Sequence, residues 1–132
     1  MAFDYGQKRV GVAATDPLQI IANAIDTIET KSIFDFIKKY LAKEEVETFV
    51  VGFPYNDGFK ENSVVPHINK FIAQLQKAYP HIPVIKTDES FTSRMAMETM
   101  VMGGMRKSER RKKENLDKIS ATIILQAYME GR

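Results

Sequence analysis

Apolar and polar positions along this chain fall into short blocks whose period changes from one block to the next. "MAF" and "RVGVAAT" (9–15) read as two short strands about a turn at Gly6, a hairpin, and "NAIDTIE" (23–29) as a third strand. "SIFDFIKKYLAKE" (32–44) carries apolar residues at 33, 36, 37, 40 and 41, with Ser32 and Asp35 spaced as a capping box, so a helix is expected. "TFVVGFP" (48–54) is continuously apolar, β-branched and aromatic, and is stopped by Gly52 and Pro54, the mark of a fully buried parallel strand. After the turn-rich "YNDGFKENS", Ser63 is placed to cap a helix with apolar positions 68, 71, 72, 75 and 79, which Pro80 ends. "PVIKTDE" (83–89) is the next strand, "TSRMAMETMVM" a helix stopping at Gly103-Gly104, and "NLDKISATIILQAYMEG" a last helix ending at Gly131.

The order βββαβαβαα joins a hairpin meander to βαβ crossovers, which gives a mixed sheet with helices on its faces. The strands around 2–4, 9–15, 48–52 and 83–87 should share one sheet, the second antiparallel to the others. With no repeat, low-complexity tract or linker, residues 1–132 read as one domain. Three residues before Asp4 are few for a central strand, so either that strand is truncated or the natural start lies upstream.

Composition narrows the chemistry. The 132 residues are 44% hydrophobic and 27% charged, ordinary for a folded domain. There is no cysteine, and the two histidines, His67 and His81, have no metal-ligand spacing, so any metal is a hard cation held by oxygen. His67 reads as a helix-surface residue and His81 as a loop residue. No apolar run is long enough to span a membrane and no secretory leader is visible, which makes cytoplasm the expected compartment. Net charge is only +2, but residues 106–113, "RKSERRKK", hold six Lys or Arg against one Glu. That run is either a solvated surface or a phosphate-contacting patch. Following two glycines and lacking apolar periodicity, it is expected to pack poorly without a ligand.

Three acids stand where an open α/β sheet places its sites, at the carboxyl ends of strands. Asp4 ends the first strand, Asp88 and Glu89 end "PVIKTDE", and Asp117 lies in the first turn of the last helix, at the flank of a stripe 116/119/120/123/127. Singly, each has a plain alternative: a turn former, a cap, a partner for the helix dipole. Together they can converge on one or two Mg²⁺ or Mn²⁺ ions, the arrangement that phosphodiester hydrolysis uses. An acid cluster beside a basic segment suits a metal site facing a polyanion. The methionines of 95–102 read as core filling, and Thr92 and Ser93 as helix caps.

"DYGQKRVGVA", "VVGFP", "DESFTS" and "LDKISATIILQAYME" resemble, in order and spacing, the motifs of the YqgF (RuvX) family, over essentially the whole chain. The resemblance implies an RNase H-like α/β fold, a five-stranded mixed sheet flanked by helices. It also implies a nuclease related to Holliday junction resolvases and assigned to the 5′ end of pre-16S rRNA. Carried over by position, Asp4, Glu89 and Asp117 are the catalytic and metal-holding acids. Lys8, Arg9 and the basic segment (Arg106, Lys107, Arg110, Arg111, Lys112 and Lys113) are the nucleic-acid contacts. Two departures bear on substrate preference: Ser90 stands where the family usually has Arg, and the loop after "VVGFP" is one residue shorter.

The alternatives are a junction resolvase acting on branched DNA and a non-catalytic nucleic-acid-binding module; retention of all three acids argues against the latter. An actin-like ATPase, which also starts Asp-x-Gly, needs two domains that 132 residues do not supply. No helix shows a spare apolar stripe for a dimer, so the expected form is a monomer or weak homodimer acting on an rRNA precursor.

Overall fold

A hairpin starts the fold. In the structure, a computed structural model that describes residues 1–16, 21–54, 64–88 and 113–131, Ala2–Tyr5 forms β1 and Arg9–Thr15 forms β2. They pair antiparallel, with Ala2 opposite Ala13 and Tyr5 opposite Val10. Glycine is required at position 6 because a Cβ there would lie 2.7 Å from the Arg9 carbonyl oxygen. Ala22–Glu29 forms β3, antiparallel to β2, with Ile25 left as the extra residue of a bulge where Val12 pairs with Asp26 and Ala13 with Ala24.

Phe49–Phe53 forms β4 and Val84–Asp88 forms β5. β4 lies parallel to β1 on one side and to β5 on the other, so the sheet order is β3-β2-β1-β4-β5. The short strand bearing Asp4 is therefore central. Its pairing continues one residue earlier, where the Val50 amide donates to the Met1 carbonyl at 2.8 Å. One sheet with its second strand antiparallel to β1, β4 and β5 is what the hydrophobic pattern predicts.

Three helices are described: α1 (Ile33–Leu41), α2 (Val65–Ala78) and α3 (Lys113–Gly131). Strand alternation splits the core between the two faces of the sheet. Phe3, Val10, Val12, Phe49 and Val51 point to one face and pack with Ile33 and Ile37 of α1 and with Ile68, Phe71, Ile72 and Leu75 of α2. Phe71 is the hub, its ring 5.4 Å from Phe3, 5.6 Å from Phe34 and 4.9 Å from Tyr5. Ala2, Ala13 and Val50 point to the other face and pack with Ala121, Ile124 and Leu125 of α3. The result is the helix-flanked, five-stranded mixed sheet of an RNase H-like α/β fold. No helix among the described residues is long and apolar enough to cross a membrane.

Two local expectations are corrected. The capping box does not form, since Thr30–Ser32 winds into a 3-10 turn and Ser32 makes no side-chain cap bond. At the start of α2, Val64 is already in helical conformation and Pro66 presets the first turn, while the expected cap, Ser63, lies outside the described residues. On α3 the buried line is 120, 121, 124 and 125, whereas Ala127 is exposed and Ile119 and Ile123 are only partly covered. It departs from the stripe 116/119/120/123/127 because apolar residues are spread around this helix and the contact itself is made through alanine. His67 and His81 are exposed, on α2 and in a turn. The methionine-rich segment, Ser63, Thr92, Ser93 and the loop after Pro54 lie outside the described residues.

Candidate active site

Asp4 occupies a notch. Ala2 lies on the α3 face of β1, so by alternation Asp4 does too, while Phe3 and Tyr5 face the opposite core. Across the hairpin its Cα partner is Gly11. Extending the parallel register Phe3–Val51 by one residue puts Gly52 on its other side. Asp4, partly buried, is thus paired on both sides with a residue that has no side chain, the pattern strands show where a ligand or another backbone approaches closely. Tyr5, the next residue, stacks on Phe71, and burial pushes its phenol above the usual range, so it remains protonated.

The run of α3 brings its first turns toward this notch. Tyr128 and Met129 line a cavity with Met1 and Thr15, at the amino end of β1, so α3 runs antiparallel to β1. Small residues at the contact (Ala2, Ala13 and Ala121, all buried) let the helix sit close to the sheet. Position 117 lies four residues, about 6 Å of helical rise, before Ala121. Asp4 lies two residues, about 6.6 Å of strand, beyond Ala2 in the same direction. The backbone therefore carries position 117 to the level of Asp4, on the line of the buried residues rather than at their flank. The Asp117 side chain lies outside the described residues.

β5 is parallel to β1 but is not its neighbour, because β4 intervenes. Thr87 pairs with Gly52 and so stands two strand spacings, about 10 Å, from Asp4. Asp88 is exposed and alternates with Val84 and Lys86 onto the α1/α2 face, away from the notch. Glu89, the next residue, lies outside the described residues.

The expected cations divide similarly. Lys8 is exposed in the turn that follows Asp4. Arg9 is partly buried and shares the face of Gly11 and Ala13, hence that of Asp4. Sequence reading missed what fixes this turn: Thr30 donates its hydroxyl to the Gly6 carbonyl at 2.7 Å and its amide to the Lys8 carbonyl at 3.0 Å. A lone threonine after a strand carries no signal that it will clasp a turn 24 residues earlier. Arg106, Lys107, Arg110, Arg111 and Lys112 lie outside the described residues, and Lys113 opens α3 with its side chain likewise outside them.

The cavity at the amino end of β1, about 460 Å³, is not where these groups meet. It is rimmed by Glu44, Glu45 and Glu47, which would repel a polyanion. There the Met1 amine donates to the Thr48 carbonyl at 3.1 Å, and burial lowers its pKa from 8.0 to about 6.

Among the described residues no group of three or more acids or histidines is gathered closely enough to hold a metal ion. Two observations nonetheless fit a hard divalent cation at the notch. The acid that the described residues place there, Asp4, is an oxygen donor. One turn along α3 from position 117, the Ser120 hydroxyl is buried and has no hydrogen-bond partner among the described residues.

A family model described as RuvX, Holliday junction resolvase, matches residues 1–131. The chain belongs to that family. Its sequence relatives agree over nearly their full lengths. A protein of Amoebophilus asiaticus is 46% identical over 131 residues, covering 99% of this chain and 93% of its own. One from Phocaeicola vulgatus is 48% identical over 132 residues, 100% of this chain and 95% of that protein. A third, from Porphyromonas gingivalis, is 43% identical over 131 residues, 99% and 95%. All three carry the name "Putative pre-16S rRNA nuclease". RuvX membership makes this chain a nuclease by kinship.

Proposed function

We propose that this chain, as one nuclease domain over residues 1–132, hydrolyses phosphodiester bonds in 5′-end processing of pre-16S rRNA. The observation that supports it is the Asp4 carboxylate, set between Gly11 and Gly52 at the carboxyl end of the central strand and facing the first turns of α3. The names of the relatives supply the substrate class. Asp4, Glu89 and Asp117 are the residues that would hold one or two Mg²⁺ or Mn²⁺ ions. Such a cation, when bound, supplies charge neutralisation at the scissile phosphate and acidifies water at neutral pH.

The protein's own part is placement. Asp4 is held rigidly by pairing on both sides of β1, so its carboxylate costs little to orient. Lys8 and Arg9, on the turn clasped by Thr30, would meet phosphates flanking the scissile bond. Residues 106–113 would extend that contact along the RNA. The protein acts in the cytoplasm as a monomer or weak dimer on this reading, since a single site suffices for trimming an RNA end.

The test is cleavage of a panel comprising a pre-16S rRNA 5′ leader, a four-way DNA junction and single strands, with and without divalent cation. Metal-dependent cleavage of the rRNA leader is expected. Paired nicks in the junction with none in RNA would transfer the activity to branched DNA, in keeping with the family's description.

A further inference from the structure

Ser120 is the one buried polar or charged residue among the described residues, 1% exposed, and its Oγ has no hydrogen-bond partner there. Serine in a helix has an easy remedy, donation to the carbonyl four residues back, and Ser120 does not take it. Its neighbours on the buried line of α3 are Ala121, Ile124 and Leu125, which pack on Ala2, Ala13 and Val50. An alanine would fill that place without leaving a hydroxyl desolvated, so packing alone gives no reason for the serine.

Its position does. Helical side chains lean toward the helix N-terminus. α3 points its N-terminus toward the carboxyl end of β1, so the Cα–Cβ bond of Ser120 tilts toward the end of the sheet that holds Asp4 and toward the turn that carries position 117. It lies three residues from 117, on the same side of the helix. An unpaired donor beside an acid site has a natural acceptor in the carboxylate oxygens of that site.

We propose that Ser120 is a positioning residue of the acid site, whose hydroxyl donates to the site's carboxylate oxygens and orders them when a divalent cation is held. The proposal rests on the acid-site reading above. Groups hydrogen-bonded to metal-holding carboxylates typically change cation affinity by about tenfold or more when removed.

The experiment compares wild type, Ser120→Ala and Asp4→Asn by thermal unfolding across a Mn²⁺ titration, with leader cleavage measured over the same concentrations. Without metal, Ser120→Ala should unfold at or above the wild-type temperature, because it loses a desolvated hydroxyl and keeps a good helix former. With metal, its half-maximal thermal shift and half-maximal cleavage should both need about tenfold more Mn²⁺. A wild-type Mn²⁺ midpoint in Ser120→Ala would overturn the proposal and leave Ser120 a bystander of packing. A wild-type protein showing neither thermal shift nor cleavage would overturn the acid-site reading itself, and that failure is seen before Ser120 is altered.

Discussion

Replacing Gly6 by alanine puts a methyl group into the tightest backbone approach of the hairpin. The new Cβ would lie 2.7 Å from the Arg9 carbonyl oxygen, about 0.7 Å short of ordinary contact. No side-chain rotation relieves this, since the obstacle is backbone, and Arg9 is fixed in register opposite Glu29 on β3. The turn must open. Overpacking of this kind costs about 1–3 kcal/mol. For a chain of 132 residues that corresponds to a loss of roughly 3–10 °C in Tm. The Thr30 clasp acts on the same turn, so Thr30→Val, which removes the 2.7 Å bond to the Gly6 carbonyl, should cost about 1 kcal/mol alone. In the Gly6→Ala background it should cost less, because an opened turn has already given up that bond. Circular-dichroism melts of the two single variants and the double variant measure both numbers. A Gly6→Ala protein melting within about 1 °C of wild type would refute the close approach and the reading of the turn built on it.

Two further outcomes follow from the same structure. For the chain with a free Met1 amine, burial holds that amine near pKa 6 against 8.0, so between pH 6 and 8 the unfolded chain binds the extra proton. Stability should be full above pH 8 and fall by roughly 3 kcal/mol on the way down to pH 6, read by denaturant titrations at about pH 8.5 and 5.5; a flat profile would contradict it. Neutralising Arg110 and Arg111 should shallow the log–log salt dependence of RNA binding by roughly 0.7–0.9 for each phosphate these side chains neutralise, and an unchanged slope would make residues 106–113 a solvated surface only.

How much of this was legible in the sequence differs between sheet and site. The inner strands β2 and β4 were readable because their burial is nearly complete: Val10 and Val12 fill one face, and 49–51 run apolar without a break. Pro80 and Gly131 marked helix ends that the fold keeps. Asp4 was legible as an acid at a strand end. What surrounds it was not, because Gly11 and Gly52 flank Asp4 only through pairing between segments that are distant along the chain. Neither glycine announces that role locally. The face of α3 is hidden for a related reason: a helix that must approach a sheet closely does so through Ala121, while Ile119 and Ile123 draw the eye to another side. Ser120 falls within an apolar stripe, and only burial without a partner sets it apart. The capping box fails because Ser32 ends a 3-10 turn whose geometry leaves its side chain no role at the helix start.

The central claim is that the carboxylate of Asp4, rather than the fold around it, performs the chemistry. Asp4→Asn keeps the size and the β1 backbone while removing the charge from the notch between Gly11 and Gly52. The decisive measurement is single-turnover cleavage of a pre-16S rRNA leader by wild type and Asp4→Asn at saturating Mn²⁺, with equal folding verified by melting. The variant should lose at least about a hundredfold in rate, as removal of an essential catalytic group does, while still binding the RNA. Cleavage by Asp4→Asn at the wild-type rate would contradict it.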